Sequence, residues 1–339
     1  MLLPASWHIL RQKHPAKQWY VNSDTETDNV KGNDKMDYVV VIGSLNYDIF
    51  LSLERVPQIG ETASAVSSKS GCGGKGANQA VQIARLGVPT YMVGKVGKDQ
   101  MGNALCESLR GAGVNTRYLG IDASSETGMG IVDVFPDGSV MAVISRGANY
   151  SVSLEDLEAV KELIRGAGMV VLQLEIPMEV VAAAIRTAKD YGVKVLLNAA
   201  PAVPLPEELI RSCDYFVVNE VEASFYLGEP VDGMDTAERL LPEVSQKYGN
   251  CWVCTLGKEG ALIVKDGKAR RIPAVKTRAV ETTGAGDSFV GGFCYGLLQG
   301  KDEYEAGTFA SYCSAVTIRY VGAQNAMPSR EQLYEEYHI

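Results

Sequence analysis

Short apolar runs alternate with segments of helical periodicity from residue 37 to near the end of the chain. The first run, 39–42, is apolar at every position, which is typical of a strand buried on both faces of a sheet. Such alternation predicts an α/β fold with a mostly parallel sheet flanked by helices. Strands are expected at 39–42, 90–95, 169–174, 193–198, 215–219, 251–256, 261–264 and 270–275, and helices at 76–86, 100–110, 179–190, 220–227, 236–248, 287–299 and 303–318.

Two β-rich stretches interrupt this alternation. Extended segments are expected around 47–54 and 61–70. A hairpin is expected where the runs 129–135 and 140–145 flank Pro136-Asp137-Gly138-Ser139, a strong turn sequence. We expect these pieces to form a small second sheet, here called the lid, within a single domain that spans residues 36–339.

The first 35 residues differ in character from the rest of the chain. They mix Lys, Asp, Asn, Thr and Gln without sustained periodicity. They lack the apolar core of a signal peptide, and their acidic residues argue against a transit peptide. We expect residues 1–35 to be a disordered extension, with a partner-binding tail as the alternative.

Composition excludes several classes of function. The net charge of −9 disfavours nucleic-acid binding by bulk electrostatics. No apolar run approaches the about 20 residues that a membrane span needs. The seven scattered cysteines, an odd number, favour a reducing compartment, and we therefore expect a cytoplasmic protein.

The three histidines lie near the termini, at positions 8, 14 and 338. The body of the chain therefore offers no histidine for a Ser-His-Asp arrangement, a Cys-His pair or a His-ligated metal. The single C-x-x-C, Cys251 to Cys254, lies in a predicted strand, where residues three apart point to opposite faces. Acid–base chemistry is left to carboxylates, Lys, Tyr or Cys.

A small-residue loop, Gly284-Ala285-Gly286-Asp287, precedes a dozen residues at helical spacing. Backbone N–H groups at a helix start lack partners and carry the positive end of the helix dipole, so they suit an anion. Asp287 beside such an anion hole is a candidate base for phosphoryl transfer. The alternative is an ordinary Asp N-cap after a glycine turn.

A second glycine-rich loop, 71–79, runs into a predicted helix and formally contains G-x-G-x-x-G. A dinucleotide fingerprint must follow the first strand of a βαβ unit. That strand leads instead into Gly43-Ser44-Leu45-Asn46, so the dinucleotide hypothesis fails on context. Lys75, Asn78 and bare backbone suit a ligand rich in hydroxyl groups.

Polar residues follow several predicted strands. Asn46, Glu175, Asn198 and Asn219 each come just after one. Ligands of parallel α/β sheets bind at the carboxyl ends of the strands. This placement independently predicts a site there.

The two loops resemble the signatures of the PfkB/ribokinase-like sugar kinases. Residues 73–81 resemble the first signature and residues 283–289 the second. Five shorter matches occur in the family's order, and together the matches cover about residues 37–339. They are Asn46-Tyr47-Asp48, Gln173-Leu174-Glu175, Asn198-Ala199-Ala200-Pro201-Ala202, Asn219-Glu220-Val221-Glu222 and Thr255-Leu256-Gly257-Lys258-Glu259-Gly260.

The resemblance implies roles for individual residues. Asp287 would be the catalytic base, with Gly284, Ala285 and Gly286 as the anion hole. The sugar would be bound by Asn46, Asp48, Gly74, Lys75, Asn78, Glu175 and Asp287, and ATP by Asn219, Thr255, Gly257, Gly260, Gly286 and Ser311.

Metal ligands follow from the same resemblance. Glu222 of the family's N-x-x-E motif would act on Mg²⁺ through metal-bound water. A monovalent cation, K⁺, would lie near the anion hole, although Glu281 replaces the usual Asp and Ala326 the usual serine ligand. Its ligands would come from Glu281, Thr283, Thr317, Tyr320 and Gly322.

The implied function is ATP-dependent phosphorylation of a sugar hydroxyl. Among sugars, the resemblance favours D-ribose, which would be converted to ribose 5-phosphate. Alternatives are a kinase for deoxyribose, fructose or a nucleoside, a sugar-binding sensor without catalysis, and an NAD-dependent dehydrogenase, which the misplaced fingerprint weakens. We expect small-molecule partners, sugar and ATP, without nucleic acid or membrane, and a homodimer formed through the lid.

Overall fold

A nine-stranded sheet forms the centre of the described chain. The computed structural model describes residues 38–136 and 140–339. The predicted extension at 1–35 and most of the predicted turn at 136–139 lie outside the described residues. Within those residues the strands are β1 (Val39–Ile42), β2 (Asn46–Ser52), β3 (Ser67–Gly73), β4 (Thr90–Gly97), β5 (Leu119–Asp122), β6 (Gly128–Val134), β7 (Val140–Ser145), β8 (Met169–Leu172), β9 (Lys194–Asn198), β10 (Tyr215–Asn219), β11 (Cys251–Thr255), β12 (Ala261–Lys265) and β13 (Lys268–Ile272).

Helices cover both faces of this sheet. The helices of the described residues are α1 (Lys75–Arg85), α2 (Gln100–Gly111), α3 (Leu154–Ala159), α4 (Lys161–Gly166), α5 (Met178–Asp190), α6 (Glu207–Ser212), α7 (Glu220–Leu227), α8 (Met234–Tyr248), α9 (Ala285–Leu298), α10 (Glu303–Thr317) and α11 (Arg330–Tyr337).

The strand order of the large sheet is β13-β12-β11-β10-β9-β8-β1-β4-β5. The seven strands from β11 to β5 are parallel, and β12 and β13 add an antiparallel edge. Side chains alternate between two cores: Val40 and Ile42 of β1 lie in one core, and Val39 and Val41 lie in the other. The predicted α/β class is confirmed.

The lid is a separate four-stranded sheet with the order β3-β2-β6-β7. Its strands agree with the expected positions except in one segment. Residues 61–66 were expected to be extended strand, but β3 begins only at Ser67. Pairing with β2 ends at Ser52, whose carbonyl accepts from the N–H of Val66, so residues before 66 have no strand to pair with.

Several short elements escape prediction from the sequence. The helices α3, α4 and α6 have six residues each, and β5 has four. Such lengths span too few periods for an apolar pattern to be recognised. Cys251 and Cys254 do face opposite cores, as the strand period requires.

Helices α1 and α9, which follow the two glycine loops, approach each other closely. Gly291 of α9 lies against Gln82 of α1, and a β-carbon at Gly291 would come 2.6 Å from the Cβ of Gln82. A side chain at this position would push the helices apart. The pair therefore depends on a residue that has no β-carbon.

We predict that Gly291→Ala lowers the free energy of unfolding by about 1–3 kcal/mol, the usual cost of overpacking a core. Gly111→Ala is the control, because a β-carbon at Gly111 meets no atom within 4 Å. There the helix propensity of Ala should make the change neutral or mildly stabilising. Urea denaturation measures both, and equal stability of the two variants would refute the close-packing argument.

Candidate active site

Most of the predicted sugar-binding residues lie where the lid meets the carboxyl ends of the parallel strands. Asn46 and Asp48 stand on lid strand β2, which follows β1 after a three-residue connection. Glu175 follows β8, the neighbour of β1 in the large sheet. Strand ends and lid therefore meet around one space, as expected for a parallel α/β sheet.

Glycines in the lid make room for Asp48. Asp48 faces Gly130 across the β2–β6 pair, and Gly73 lies diagonally across from it on β3. A β-carbon at either glycine would overlap the Asp48 carboxylate. The lid therefore contains a slot for this acid, which explains a glycine pattern that weakens a strand in other settings.

The 71–79 loop brings its backbone against the lid. Gly74, the N-cap of α1, has a φ of 88°, and a β-carbon there would lie 2.5 Å from the backbone N of Asn46. Both the left-handed conformation and the close approach require glycine. Lys75 is thereby placed at the first position of α1, beside the site.

Asp287 lies in the first turn of α9 and is 9% exposed. Gly284, at the N-cap, has a φ of 78° and turns the chain into this helix. The Nδ2 of Asn78 donates to Oδ2 of Asp287 at 2.9 Å, and the Nε2 of Gln79 donates to Oδ1 at 2.9 Å. The two glycine loops therefore meet at the carboxylate that the sequence predicts as the base.

Glu175 and Asn46 are each held by a residue that the sequence did not single out. The hydroxyl of Ser44 donates to Oε2 of Glu175 at 2.5 Å. The Nδ2 of Asn149 donates to Oδ1 of Asn46 at 2.8 Å, and Asn149 is itself fixed by the backbone of Leu45. Two further residues have no role predicted from the sequence. Gln79 directly follows the predicted contact Asn78, and Gln173 lies two residues before the predicted contact Glu175.

Carboxylates crowd around Lys75. Burial opposes the charge of Lys75, but the carboxylates of Asp287 and Glu175 outweigh it, so the pKa of Lys75 is raised. Burial, followed by the charges of Glu175 and Asp287, raises the pKa of Asp48 to about 7. Burial also raises the pKa of Glu222. The site therefore contains more negative charge than Lys75 can balance.

On the predicted nucleotide side, Asn219 and Glu222 form a capping box at the start of α7. Oδ1 of Asn219 accepts from the N–H groups of Val221 and Glu222 at 2.9 Å, and Oε2 of Glu222 accepts from the N–H of Asn219 at 2.7 Å. The pair thus has a structural role whether or not it binds ligand.

The predicted nucleotide loop follows β11. Gly257 and Gly260 have φ values of 49° and 96°, and Thr255 is half-buried at the end of β11. Ser311 is 9% exposed on α10. The N–H of Gly260 donates to the carbonyl of Gly257 at 3.2 Å, so the two glycines close a tight turn after β11, whereas Ser311 lies on a separate helix.

The predicted potassium ligands are brought together in part. The N–H of Gly322 donates to Oε2 of Glu281 at 3.2 Å, so these two segments meet. Thr317 is fully buried, and its hydroxyl donates to Oγ of Ser288. The Tyr320 side chain is 48% exposed. In the described part of the chain, no group of three or more His, Cys, Asp or Glu side chains is arranged to hold a metal ion.

Two cavities show how the space is distributed. One, of about 520 Å³, lies between the lid, α2 and the segment 321–325, and Asp48 and Glu281 both line it. Another, of about 850 Å³, lies between α10 and α11 and contains none of the predicted site residues. The first cavity adjoins the carboxylate cluster through Asp48.

Comparison with known proteins places the chain in a family. A family model for pfkB carbohydrate kinases matches residues 36–330. The chain belongs to this family: it is a sugar kinase that uses an alcohol group as phosphate acceptor.

Individual relatives resemble the chain over nearly their whole lengths. It is 36% identical over 298 residues to a deoxyribokinase of Salmonella typhi, covering 88% of this chain and 97% of the relative. It is 35% identical to a ribokinase of Staphylococcus aureus, covering 87% and 98%. The structure of Arabidopsis thaliana ribokinase complexed with ribose and ATP matches with a TM-score of 0.80 at 33% identity, covering 88% and 98%.

None of the helices in the described residues combines the length and the apolar character needed to cross a bilayer.

The raised pKa of Asp48 predicts a pH-dependent cost to the fold. Its stabilising contribution is complete below the unfolded value of 3.8 and is lost as the pH rises through about 7, because the buried carboxyl must then ionise. Asp48→Asn removes this cost. Without ligand at pH 8, we expect the variant to be more stable by on the order of 2 kcal/mol, since one pKa unit is worth about 1.4 kcal/mol and partial exposure reduces the full effect.

Denaturant unfolding at pH 5 and pH 8 measures this difference. Asp133→Asn, on the neighbouring lid strand β6, is the matched control, because Asp133 does not contribute to the shift at Asp48. A gain for Asp48→Asn that is equal at both pH values would contradict the electrostatic origin.

Proposed function

We propose that the protein transfers the γ-phosphate of ATP to D-ribose and forms ribose 5-phosphate. The observation that carries this proposal is the position of Asp287: a buried carboxylate in the first turn of α9, bonded by Asn78 of the loop at the lid. The similarity to ribokinases, and to one described as complexed with ribose and ATP, supports the choice of substrates.

Asp287 is proposed to accept the proton of the attacking sugar hydroxyl. The hydroxyl oxygen then bonds to the γ-phosphorus as the bond to the ADP oxygen breaks, and the proton resides on Asp287. The N–H groups of Gly286 and Asp287 open the first turn of α9, where helical geometry provides no partner. The N–H of Ala285 already donates to the carbonyl of Thr282 at 3.2 Å, so we expect it to contribute less to the anion hole than the N–H groups of Gly286 and Asp287.

The sugar contacts are proposed on the grounds of unmet hydrogen bonding and charge. Oδ1 of Asn78 is buried without a hydrogen-bond partner among the described residues, and it can accept from a sugar hydroxyl. Asp48 and Glu175 belong to a site with excess negative charge, and hydroxyl groups donate to carboxylates without adding charge. The proposed contacts are Asn46, Asp48, Gly74, Lys75, Asn78 and Glu175.

ATP and Mg²⁺ are proposed on the other side of Asp287. Glu222 uses Oε2 for the helix cap, which leaves Oε1 for a water molecule in the shell of Mg²⁺. The metal, when bound, would neutralise phosphate charge. The proposed ATP contacts are Asn219, Thr255, Gly257, Gly260, Gly286 and Ser311.

A potassium site is proposed near the loop that precedes α9. The contact between Glu281 and Gly322 supports it, because one carboxylate already joins the two segments expected to supply ligands. Thr283, Thr317 and Tyr320 complete the proposed set.

We further propose a homodimer formed through the lid and a cytoplasmic location. The lid region exposes Met141, Val143 and Ile144 on the edge strand β7 and Val66 just before the other edge strand, β3, and exposed apolar side chains that lie together on a surface mark interaction sites. All seven cysteines are free thiols, which suits a reducing compartment.

Asp287→Asn keeps the shape of the side chain and removes its basicity. We expect kcat to fall by about 10²–10⁴, the usual contribution of a general base, with KM for ATP nearly unchanged. Asp266→Asn makes the same change in an exposed turn with a φ of 51°, which Asn tolerates, and should leave turnover intact. Near-normal turnover of Asp287→Asn in an ATP-consumption assay would sink the assignment.

A deoxyribose kinase is the second candidate, favoured by the similarity to a deoxyribokinase. A site that hydrogen-bonds the 2-hydroxyl rejects the analogue that lacks it, because buried polar groups lose their partners. For the ribose proposal we expect kcat/KM for D-ribose to exceed that for 2-deoxyribose by at least about tenfold, or 1.4 kcal/mol. The opposite order would favour the second candidate, and a preference for fructose or a nucleoside would reject both.

A further inference from the structure

Two buried glutamines form a hydrogen-bonded chain that ends on Asp287. The Nε2 of Gln173 donates to Oε1 of Gln79 at 2.6 Å, and the Nε2 of Gln79 donates to Oδ1 of Asp287 at 2.9 Å. Both glutamines are 0% exposed. Gln79 lies on α1 and Gln173 directly after β8, so the chain links three elements that lie far apart in the sequence.

The donor and acceptor roles along this chain are mutually consistent. An ionised carboxylate only accepts, so Gln79 must present its NH₂ group to Asp287. Its carbonyl oxygen then faces Gln173, which must present its own NH₂ group. A rotated Gln173 amide would bring two carbonyl oxygens together at 2.6 Å. The end of the chain therefore holds Gln79 in the one orientation that donates to Asp287.

Space for this arrangement is provided by glycine. A β-carbon at Gly43, at the end of β1, would overlap the carboxamide of Gln173. The Oε1 of Gln173 is buried without a hydrogen-bond partner among the described residues, an energetic cost that a plain core position would avoid by carrying an apolar side chain. The structure thus retains the amide where packing alone does not require it.

We propose that Gln79, held by Gln173, is a positioning residue that fixes the Asp287 carboxylate for proton transfer; this rests on the proposed function. Gln79, which is fully buried, donates to Oδ1. Oδ2 lies on the side of Asn78 and the proposed sugar contacts, so Oδ2 is the oxygen that receives the proton. Gln79 can keep donating to Oδ1 before and after this transfer, so the carboxyl stays in place through the reaction.

The test compares Gln79→Met with Gln82→Met in the full-length protein. Both residues are fully buried on α1, but Gln82 accepts from Ser288 at 2.7 Å and donates to the carbonyl of Pro328. We expect Gln79→Met to lower kcat by about tenfold or more, with KM for ATP within twofold, because Asn78 alone then orients the base. Gln82→Met should lose stability by a similar amount and keep kcat.

Gln79→Glu provides a second readout that does not depend on stability. It preserves size but places a carboxyl group against Asp287. When both are ionised they repel, so the acid limb of the kcat–pH profile should move up by about one pH unit or more. A merely structural role for Gln79 would give Gln79→Met a wild-type kcat, which would overturn the inference. An unmoved acid limb in Gln79→Glu would overturn it as well, because the group that titrates in kcat would then not be the carboxylate that residue 79 contacts.

Asp287→Asn, assayed in parallel, distinguishes a failure of the proposed function from a failure of the positioning role of Gln79. If this variant keeps its turnover, Asp287 is not the base and the proposed function fails. If it is inactive while Gln79→Met and Gln79→Glu behave as wild type, the base assignment stands and the positioning role alone is wrong.

Discussion

The site depends on a balance between one buried ammonium group and the acids around it. Lys75 shares its surroundings with Asp48, Glu175, Glu222 and Asp287, whose charges raise its pKa against the effect of burial. Buried like charges are costly unless they are paired or hydrogen-bonded. The glycine loop keeps Lys75 among the acids, and the cost that remains appears in the raised pKa of Asp48. A proposed substrate rich in hydroxyl groups relieves that cost by donating to the carboxylates.

Close backbone approach makes this concentration of charge possible. Gly74 brings the start of α1 against the lid, Gly73 and Gly130 leave a slot for Asp48, and Gly291 lets α9 lie on α1. A β-carbon at any of these positions would overlap or crowd a neighbouring atom. The glycines that weaken secondary structure locally therefore form the site, since they allow acids from separate elements to meet.

The sequence predicts the framework and the charged residues better than the network that orients them. The strand β1 is apolar throughout and β10 is apolar up to Asn219, and both agree with the predicted strands to within a residue, whereas α3 and α6 are too short to show a period. Asp287 and Lys75 stand out because their loops have recognisable spacing. Gln79 shares the loop of Lys75, but neither Gln79 nor Ser44 stands out, because an uncharged polar side chain does not by itself indicate which charged group it will contact. Their partners, Asp287 and Glu175, lie 208 and 131 residues away, and the fold alone brings them into contact.

The placement of Asp48 links the lid to the chemistry. Asp48 belongs to the lid, whereas Asp287 belongs to the body of the domain, and the charge of Asp287 adds to the cost of ionising Asp48. On the proposed function, a sugar between them donates hydroxyl groups to both. Such donation favours the charged form of Asp48 and lowers its pKa. Sugar binding near pH 7 would then release protons from the lid, and by linkage the affinity for sugar would rise with pH over the range in which Asp48 titrates. The same ionisation that costs the empty protein stability would therefore prepare the lid to hold its substrate.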